Sequence, residues 1–418
     1  MLLRLLSLAG LVVLIGCAWA ISSHRRRFPW RTVLSGVALQ FLVALVILKT
    51  PVGQTIFAAA QNGVSQLNVY ALDGARMVFG PLADGAALGK VFGPGGFIFA
   101  ITVSATIILI SALSSLLYHW GLLQKIVAAM AMVMQRVMGT SGSESLAGAS
   151  NIFLGQTEAA LLVKPYIPKM TRSELLAVMT TGMSTIATGV MVVYADLDGM
   201  SAGHILTASV MGAPAGLLIA KIIVPETEPS ETGERCHFGV ERTTVNGIDA
   251  LCHGASEGVS LSMNIIGMLI AFVAVVALVN GLVAWPQTAL GSTDPITLQR
   301  IFGWVNAPFA FLMGIPWKDS VFIGQVLGER IVLNEFIGYL SLSNYANANP
   351  GRLDARSVTL ASYALCGFAN FASIAIQIGG IGALAPERRG DLAALGFRAM
   401  VGGLLACYLT ATIVGVVL

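Results

Sequence analysis

The chain has 418 residues, of which 56% are hydrophobic and 11% are charged, and its formal net charge is +3. Because soluble domains carry about 25% charged residues, this composition excludes a water-soluble protein and predicts a membrane protein. The small, dispersed positive charge also argues against nucleic acid as a partner. The 46 glycines and 15 prolines favour closely packed and interrupted membrane helices.

About eight apolar runs are long enough to cross a membrane as helices by the ~20-residue criterion. They cover residues 3–22, 33–49, 96–117, 172–195, 203–224, 259–284, 357–384 and 393–418. The basic segments 24–31, 164–172 and 387–389 then share one side, which the positive-inside rule makes cytoplasmic. Both termini are therefore expected outside. The arginines after the first run favour an uncleaved span over a signal peptide.

Two segments outside these runs have their own character. Residues 121–139 read as an amphipathic helix lying in the membrane interface. Residues 225–256 form the longest charged loop and are expected to be cytoplasmic. This loop repeats a Cys-His pair, at Cys236-His237 and Cys252-His253, but the spacing is not typical of a four-ligand zinc site.

Two further segments each contain a polar tip between apolar arms that are too short to span. Residues 143–168 carry Gly155-Gln156-Thr157-Glu158, and residues 314–343 carry Asn334-Glu335. Both read as re-entrant helical hairpins. Each precedes a span with an interrupted centre, at 183–189 and at 366–373. Two such units separated by an odd number of spans predict inverted repeats whose broken helices meet at a binding site.

Glu158 and Glu335 are the most informative residues of these tips. A carboxylate at mid-membrane depth costs about 2.5–3.5 kcal/mol on insertion scales, so such residues are functional by default. The alternative is a structural carboxylate that ties helices together by hydrogen bonds. Two glutamates at equivalent tips, with amides beside them, favour a binding site.

The chemistry of the tips and broken centres indicates the kind of ligand. No lysine or arginine lies in them, so a phosphate or carboxylate ligand is not expected. Carboxylates, amides and hydroxyls suit a neutral ligand rich in hydroxyl and amide groups. Phe368 offers an aromatic face for a planar base, although helix packing explains it equally well.

Uncharged oxygens near the first hairpin could hold a hard monovalent cation. Asn151, Thr185 and the backbone near Leu154 and Ile186 supply them. A plain interhelical hydrogen bond is the alternative for Asn151 and Thr185. No enzyme motif of the H-E-x-x-H, G-x-S-x-G or Walker type is present, so the chain is not expected to be an enzyme.

At these residues the chain closely resembles the concentrative nucleoside transporter family. The similarity lies in residues 139–175 (GTSGSESLAGASNIFLGQTEAALLVKPYIPKMTRSEL), 332–339 (VLNEFIGY) and 364–380 (ALCGFANFASIAIQIGG). Ala160 stands where the family more often has proline, and Thr185 stands where it more often has serine. The short form resembles the bacterial members. The resemblance implies a homotrimer in the bacterial inner membrane that imports nucleosides by symport with a cation and alternating access.

The resemblance also assigns residues. Gln156, Thr157 and Glu158 would face the nucleobase, with Val190 and Phe368 packing on it. Glu335, Asn370 and Ser373 would bind ribose. The family's sodium site maps to the side chains of Asn151 and Thr185 and to the carbonyls of Leu154 and Ile186. Sodium is the expected coupling ion because this hard-oxygen set is kept.

The sequence thus predicts an all-α polytopic membrane protein with about eight transmembrane helices and two re-entrant hairpins in inverted repeats. Residues 1–118 are mainly scaffold, and 119–224 hold the interfacial helix and the first transport-domain repeat. Residues 225–284 hold the cytoplasmic loop and a scaffold span, and 285–418 hold the second repeat. The expected ligand is a uridine-like nucleoside, with lipid around the protein. Proton coupling, a passive channel and an intramembrane enzyme are the alternatives.

Overall fold

The computed structural model describes residues 1–92, 98–195, 197, 199–232 and 244–418. These residues form α-helices, short 3-10 turns and loops, and no strand lies among them. The predicted all-α class is therefore confirmed. The pair Cys236-His237 lies outside the described residues.

The N-terminal part consists of five helices. They are α1 (Leu2–Ala20), α2 (Trp30–Lys49), α3 (Pro51–Phe79), α4 (Gly85–Phe92) and α5 (Phe99–His119). Helix α3 was not among the predicted spans because glutamines, asparagines and charged residues interrupt its apolar pattern. Thr50 caps its start by accepting a hydrogen bond from the amide of Gly53. Helix α3 packs on α5, and Thr106 of α5 donates a hydrogen bond to Asn68 Oδ1 of α3 over 3.2 Å.

Two groups of five α-helices lie in the described chain, and each group ends in its longest helix. The first comes after α6 (Leu122–Met138), and the second comes after α12 (Gly247–Ala289) and α13 (Leu298–Leu312). The first group is α7 (Gly142–Ser150), α8 (Glu158–Leu162), α9 (Arg172–Ser184), α10 (Thr188–Ala195) and α11 (Ala202–Ile223). The second is α14 (Trp317–Val332), α15 (Glu335–Ala348), α16 (Ala355–Leu365), α17 (Phe371–Leu384) and α18 (Arg389–Val417).

Seven helical segments of the described chain are long and apolar enough to cross a membrane. They correspond to seven of the eight predicted runs. The eighth, 357–384, is divided into α16 and α17 by a break from Cys366 to Asn370, as its polar centre predicted. The first interrupted span is likewise divided, between α9 and α10. Re-entry of the two hairpins into the membrane, and their inversion, remain predictions.

Helix α12 corrects the predicted boundary of the long loop. It has 43 residues and begins at Gly247, so residues 247–256 are helical rather than part of a loop over 225–256. Asn246 caps this start by accepting a hydrogen bond from the amide of Asp249 over 2.9 Å. The helix was missed here because Asp249, His253 and two glycines interrupt the apolar residues of its first ten positions. At 1.5 Å per residue it is about 65 Å long, roughly twice the thickness of a bilayer core.

The interior is formed by α9, α11 and α18, which pack on one another. Small residues permit close contact at the break of α9. A Cβ atom on Gly212 would lie 2.3 Å from the carbonyl oxygen of Ser184, so only glycine fits there. The Ser184 hydroxyl in turn donates a hydrogen bond to the carbonyl of Gly212 over 2.9 Å. The interrupted segment is thus held firmly against α11.

A buried ionic cluster joins the starts of α7 and α9 to the end of α11. Lys221 Nζ lies 2.7 Å from Glu144 Oε2 and 3.2 Å from Glu226 Oε2. Glu174 accepts hydrogen bonds from the Thr171 amide over 2.9 Å and from the Thr232 hydroxyl over 2.6 Å. Glu144 and Glu174 complete capping boxes at the starts of their helices. The cluster therefore fixes the base of the first hairpin.

The predicted orientation can be tested by cysteine labelling in a variant without native cysteines. One cysteine is introduced in place of the exposed Arg26 in the first basic loop. Another is introduced, in a separate variant, in place of the exposed Ser292 between α12 and α13. In R26C we expect labelling by an impermeant maleimide only from the cytoplasmic side, and in S292C only from outside. Transport by each variant is the control for folding, and the reverse labelling pattern would overturn the orientation.

Candidate functional site

The tip of the first hairpin lies between α7 and α8 and is anchored through Gln156. The Gln156 amide nitrogen donates a hydrogen bond to the Ser373 hydroxyl over 3.4 Å. Its oxygen accepts one from Gln377 Nε2 over 2.9 Å, and Gln377 also donates to the Met179 carbonyl over 2.9 Å. Gln377 thus joins the first tip to helices of both groups. The sequence reasoning missed it, although it lies within the conspicuous stretch 364–380.

The tip of the second hairpin is organised around Glu335, the first residue of α15. Its carboxylate is 5% exposed and accepts hydrogen bonds from the Tyr194 hydroxyl over 2.6 Å and from Asn370 Nδ2 over 3.2 Å. Asn370 Oδ1 in turn accepts a hydrogen bond from the Ser373 amide over 2.9 Å, which caps α17. Tyr194 was not predicted; its position at the end of a broken span is the only signal for it.

The two tips and both broken spans line one cavity of about 610 Å³. This size is within the range of small-molecule sites, about 300–1,000 Å³. Among the described residues of its wall there is no lysine or arginine. The structure brings together all of the residues predicted to contact a nucleoside: Gln156, Thr157, Glu158, Val190, Glu335, Phe368, Asn370 and Ser373.

The opposite wall comes from two helices that the sequence reasoning had not assigned to a site. Helix α5 contributes Val103 and Ile107. Helix α12 contributes six residues that recur on one face of the helix. These are Ser256, Glu257, Ser260, Leu261, Asn264 and Ile265. Their signal was the presence of Ser260 and Asn264 in an otherwise apolar run.

Arg330 lies behind the second tip and is fully buried. Its guanidinium donates hydrogen bonds to the carbonyl of Ala364 and to Cys407 Sγ. Ala364 lies in the last turn of α16, where exposed carbonyls attract positive charge. Arg330 therefore supports the broken helix from behind and is not part of the described cavity wall.

The residues predicted to hold sodium meet where α7 and α9 end. Asn151 follows the last residue of α7 and Thr185 follows the last residue of α9. Asn151 Nδ2 donates hydrogen bonds to the Ala147 carbonyl over 3.0 Å and to the Thr181 hydroxyl over 3.4 Å. Leu154 lies in the irregular segment after α7, and the Ile186 carbonyl accepts a hydrogen bond from the Ser209 hydroxyl over 3.3 Å.

This arrangement fits a hard cation. Asn151 is 1% exposed, and its side-chain oxygen has no hydrogen-bond partner although it is buried. A buried oxygen left unpaired costs about 1–3 kcal/mol unless another partner satisfies it. Two helix C-termini converge beside it, and their partial negative charge favours a cation. The Asn151, Thr185, Leu154 and Ile186 oxygens are of the type that hard cations prefer.

The helical fold and the cavity, whose largely apolar wall carries a few polar groups at the two tips, define a polytopic membrane protein with a small-molecule site. The family described as "Na+ dependent nucleoside transporter" matches through its C-terminal part at residues 204–415 and its N-terminal part at residues 9–82. A third match, described as "Nucleoside recognition", covers residues 100–199. The chain belongs to the Na+-dependent, concentrative nucleoside transporter family, whose members are transporters and not enzymes.

Relatives and solved structures are similar to this chain over nearly its whole length. The "Nucleoside permease NupC" of Helicobacter pylori is 37% identical, with 98% of this chain and 97% of that protein covered. Human "Solute carrier family 28 member 3" is 36% identical over 99% of this chain and 60% of its own length. A structure of CNTnw in an inward-facing substrate-bound state is 37% identical, with a TM-score of 0.92 and 99% and 97% of the two chains covered.

Proposed function

We propose that the protein is a secondary active symporter that imports uridine-like nucleosides across the bacterial inner membrane, driven by a sodium gradient. The observation that carries this proposal is the single cavity lined by both hairpin tips and both broken spans. Its carboxylates, amides and hydroxyls match a neutral, hydroxyl-rich ligand. The proposed active unit is a homotrimer surrounded by lipid, with α5 and α12 in the scaffold.

Ribose is proposed to bind at the Glu335 end of the cavity. A carboxylate can only accept hydrogen bonds, so Glu335 suits the hydroxyl donors of a sugar. Tyr194 and Asn370 already hold the carboxylate in place, which limits the ordering cost of binding. Ser373 lies beside Asn370 and joins it in contacting ribose.

The nucleobase is proposed to bind at the first tip. Gln156, Thr157 and Glu158 face its polar edge, and Phe368 and Val190 pack on its face. A nucleoside bound in this way contacts both tips at once. Because Gln156 also bonds Ser373, the base and ribose ends of the site are mechanically joined. Closure around the ligand therefore involves both groups of helices together.

Sodium coupling is supported by the orphaned oxygen of Asn151 and by the helix ends beside it. The bound ion would supply a fixed positive charge where α7 turns into the first tip. Proton coupling is the alternative, and Glu158 and Glu335 are the carboxylates it would use. A channel is disfavoured because dissimilar polar groups are concentrated in one cavity rather than spaced along a pore.

Uptake of labelled uridine by proteoliposomes tests the coupling ion. We expect uptake above the external concentration that rises saturably with external sodium at fixed pH. Asn151→Ala and Thr185→Ala should weaken sodium activation by roughly tenfold, because each removes one oxygen from a hard-ligand set. Uridine binding at saturating sodium should change less.

The control for this experiment is Ser150→Ala. Ser150 is a buried neighbour whose hydroxyl donates to the Leu146 carbonyl within α7, and it is not among the proposed ligands. Its sodium activation should match the parent protein. Uptake that follows a pH gradient without sodium, unchanged in the Asn151 and Thr185 variants, would reject sodium and move coupling to the glutamates.

A further inference from the structure

The α12 wall of the cavity carries a polar face within a largely apolar helix. Ser256, Glu257, Ser260 and Asn264 lie on this face and are part of the cavity wall. From Ser256 to Asn264 the helix rises by about 12 Å, at 1.5 Å per residue. A ligand in the cavity therefore meets a second set of polar groups, opposite the hairpin tips.

Glu257 places a second carboxylate in the wall of the cavity that Glu158 also lines. Both side chains are exposed within the cavity wall, and their negative charges repel each other. Glu257 has one nearby basic group, His253, whose Nδ1 lies 3.6 Å from Glu257 Oε2 on the same helix. Glu158 folds back over Gly155, where a Cβ atom would meet Glu158 Oε2 at 2.1 Å.

Two carboxylates in the wall of one cavity can both be satisfied by a ligand only if the ligand brings hydrogen-bond donors. Carboxylates accept and cannot donate, and no lysine or arginine lies in the described wall. The 4-amino group of cytosine and the 6-amino group of adenine each supply two N–H donors. The corresponding positions of uracil and hypoxanthine are carbonyl oxygens, whose lone pairs would face negative charge. The ring N–H beside each carbonyl is a single donor and can satisfy only one of the two carboxylates.

We propose that Glu158 and Glu257 together bind the exocyclic amino group of the base, so that the transporter prefers amino-bearing nucleosides to their oxo counterparts. This inference rests on the proposed nucleoside site and names its substrate class. It makes Glu257 a specificity-determining residue on the helix that faces the tips. Hydrogen bonds to a charged acceptor are about twice as strong as neutral ones, so the preference should be large.

The test is binding to purified protein in nanodiscs at saturating sodium, measured by competition against labelled cytidine. The matched pairs are cytidine with uridine and adenosine with inosine. Purine riboside, which is adenosine without the amino group, isolates the contribution of that group. We expect each amino nucleoside to bind at least about tenfold more tightly than its partner, the lower end for one hydrogen bond to a charged group.

Glu257→Gln tests whether α12 is responsible. This variant keeps the size of the side chain but removes its charge. The amino-to-oxo affinity ratio should therefore fall about tenfold, because cytidine loses a charged acceptor and the repulsion of the uracil carbonyl is relieved. Glu257→Asp, which keeps the charge, should retain part of the preference. Asp294→Asn is the control, since Asp294 is exposed, pairs with Arg300 and is not in the cavity wall.

The outcomes distinguish failure of the carboxylate hypothesis from failure of the proposed nucleoside transport. Equal binding within the pairs by the parent protein, or an unchanged ratio in Glu257→Gln, overturns the role of the two carboxylates and leaves nucleoside transport standing. Failure of every nucleoside to compete overturns the proposed function itself. If Glu257→Gln does not fold, the comparison of adenosine with purine riboside on the parent protein still decides the inference.

Discussion

Replacing Glu335 by alanine is expected to abolish high-affinity nucleoside binding. The change removes the carboxylate proposed to accept the ribose hydroxyls, and it leaves Tyr194 and Asn370 without their partner. Each ribose hydroxyl left without its acceptor in the complex costs about 1–3 kcal/mol, so the loss of two such contacts should lower affinity by roughly thirtyfold to more than a thousandfold. Equilibrium binding of labelled uridine to the purified variant measures the loss.

The sugar contact is isolated by comparing ligands. A dideoxy analogue without the 2′ and 3′ hydroxyls has already lost the hydrogen bonds that Glu335 is proposed to accept. Its affinity should therefore fall less than that of uridine in Glu335→Ala and in Asn370→Ala. Equal losses for the two ligands would show that these residues do not contact ribose. Phe397→Ala, at an exposed position on α18 outside the cavity wall, is the control.

Replacing Lys221 by alanine is expected to destabilise the protein strongly. Lys221 is 6% exposed and Glu144 is 1% exposed, so the change leaves a buried carboxylate without its cation. Breaking a buried ion pair in this way typically costs about 3–5 kcal/mol. The expected result is a large fall in the melting temperature of the detergent-solubilised protein, measured without ligand.

A surface lysine provides the matched control for this prediction. Lys169 lies 4.0 Å from Glu231, and their side chains are 67% and 69% exposed. Exposed pairs contribute about 0–1 kcal/mol, so Lys169→Ala should change the melting temperature little. The double variant Lys221→Met with Glu144→Gln removes both charges and should recover part of the loss. A Lys221→Ala protein as stable as the parent would contradict a structural role for the cluster.

The polar interruptions of the spans were predictable because membrane helices rarely contain them without a reason. Glu158, Glu335 and Asn370 each stand out against apolar neighbours, and all three line the same cavity. The resemblance added Val190, and no local pattern distinguishes Val190 or Phe368 from ordinary packing residues. Their roles in binding remain to be measured.

The partners of these residues could not be read from local patterns. Gln377 and Gln156 are 221 positions apart, and Tyr194 and Glu335 are 141 positions apart. A glutamine or tyrosine within an apolar helix carries no sign of which distant residue it contacts. The α12 wall was missed for a related reason: part of it lies before the apolar run, in a stretch whose polar residues suggested a loop.

Asn370 performs two tasks with one amide group, and this limits how the site can change over evolution. Its oxygen caps α17 and its nitrogen donates to Glu335. Aspartate would keep the cap but set a second carboxylate against Glu335, and serine would keep the cap with a shorter reach. The residues that contact ribose are therefore resistant to substitution. The exposed Ser256, Glu257 and Ser260 on α12 do not cap a helix as Asn370 does. New base selectivities should arise by changes on α12, with the recognition of ribose left intact.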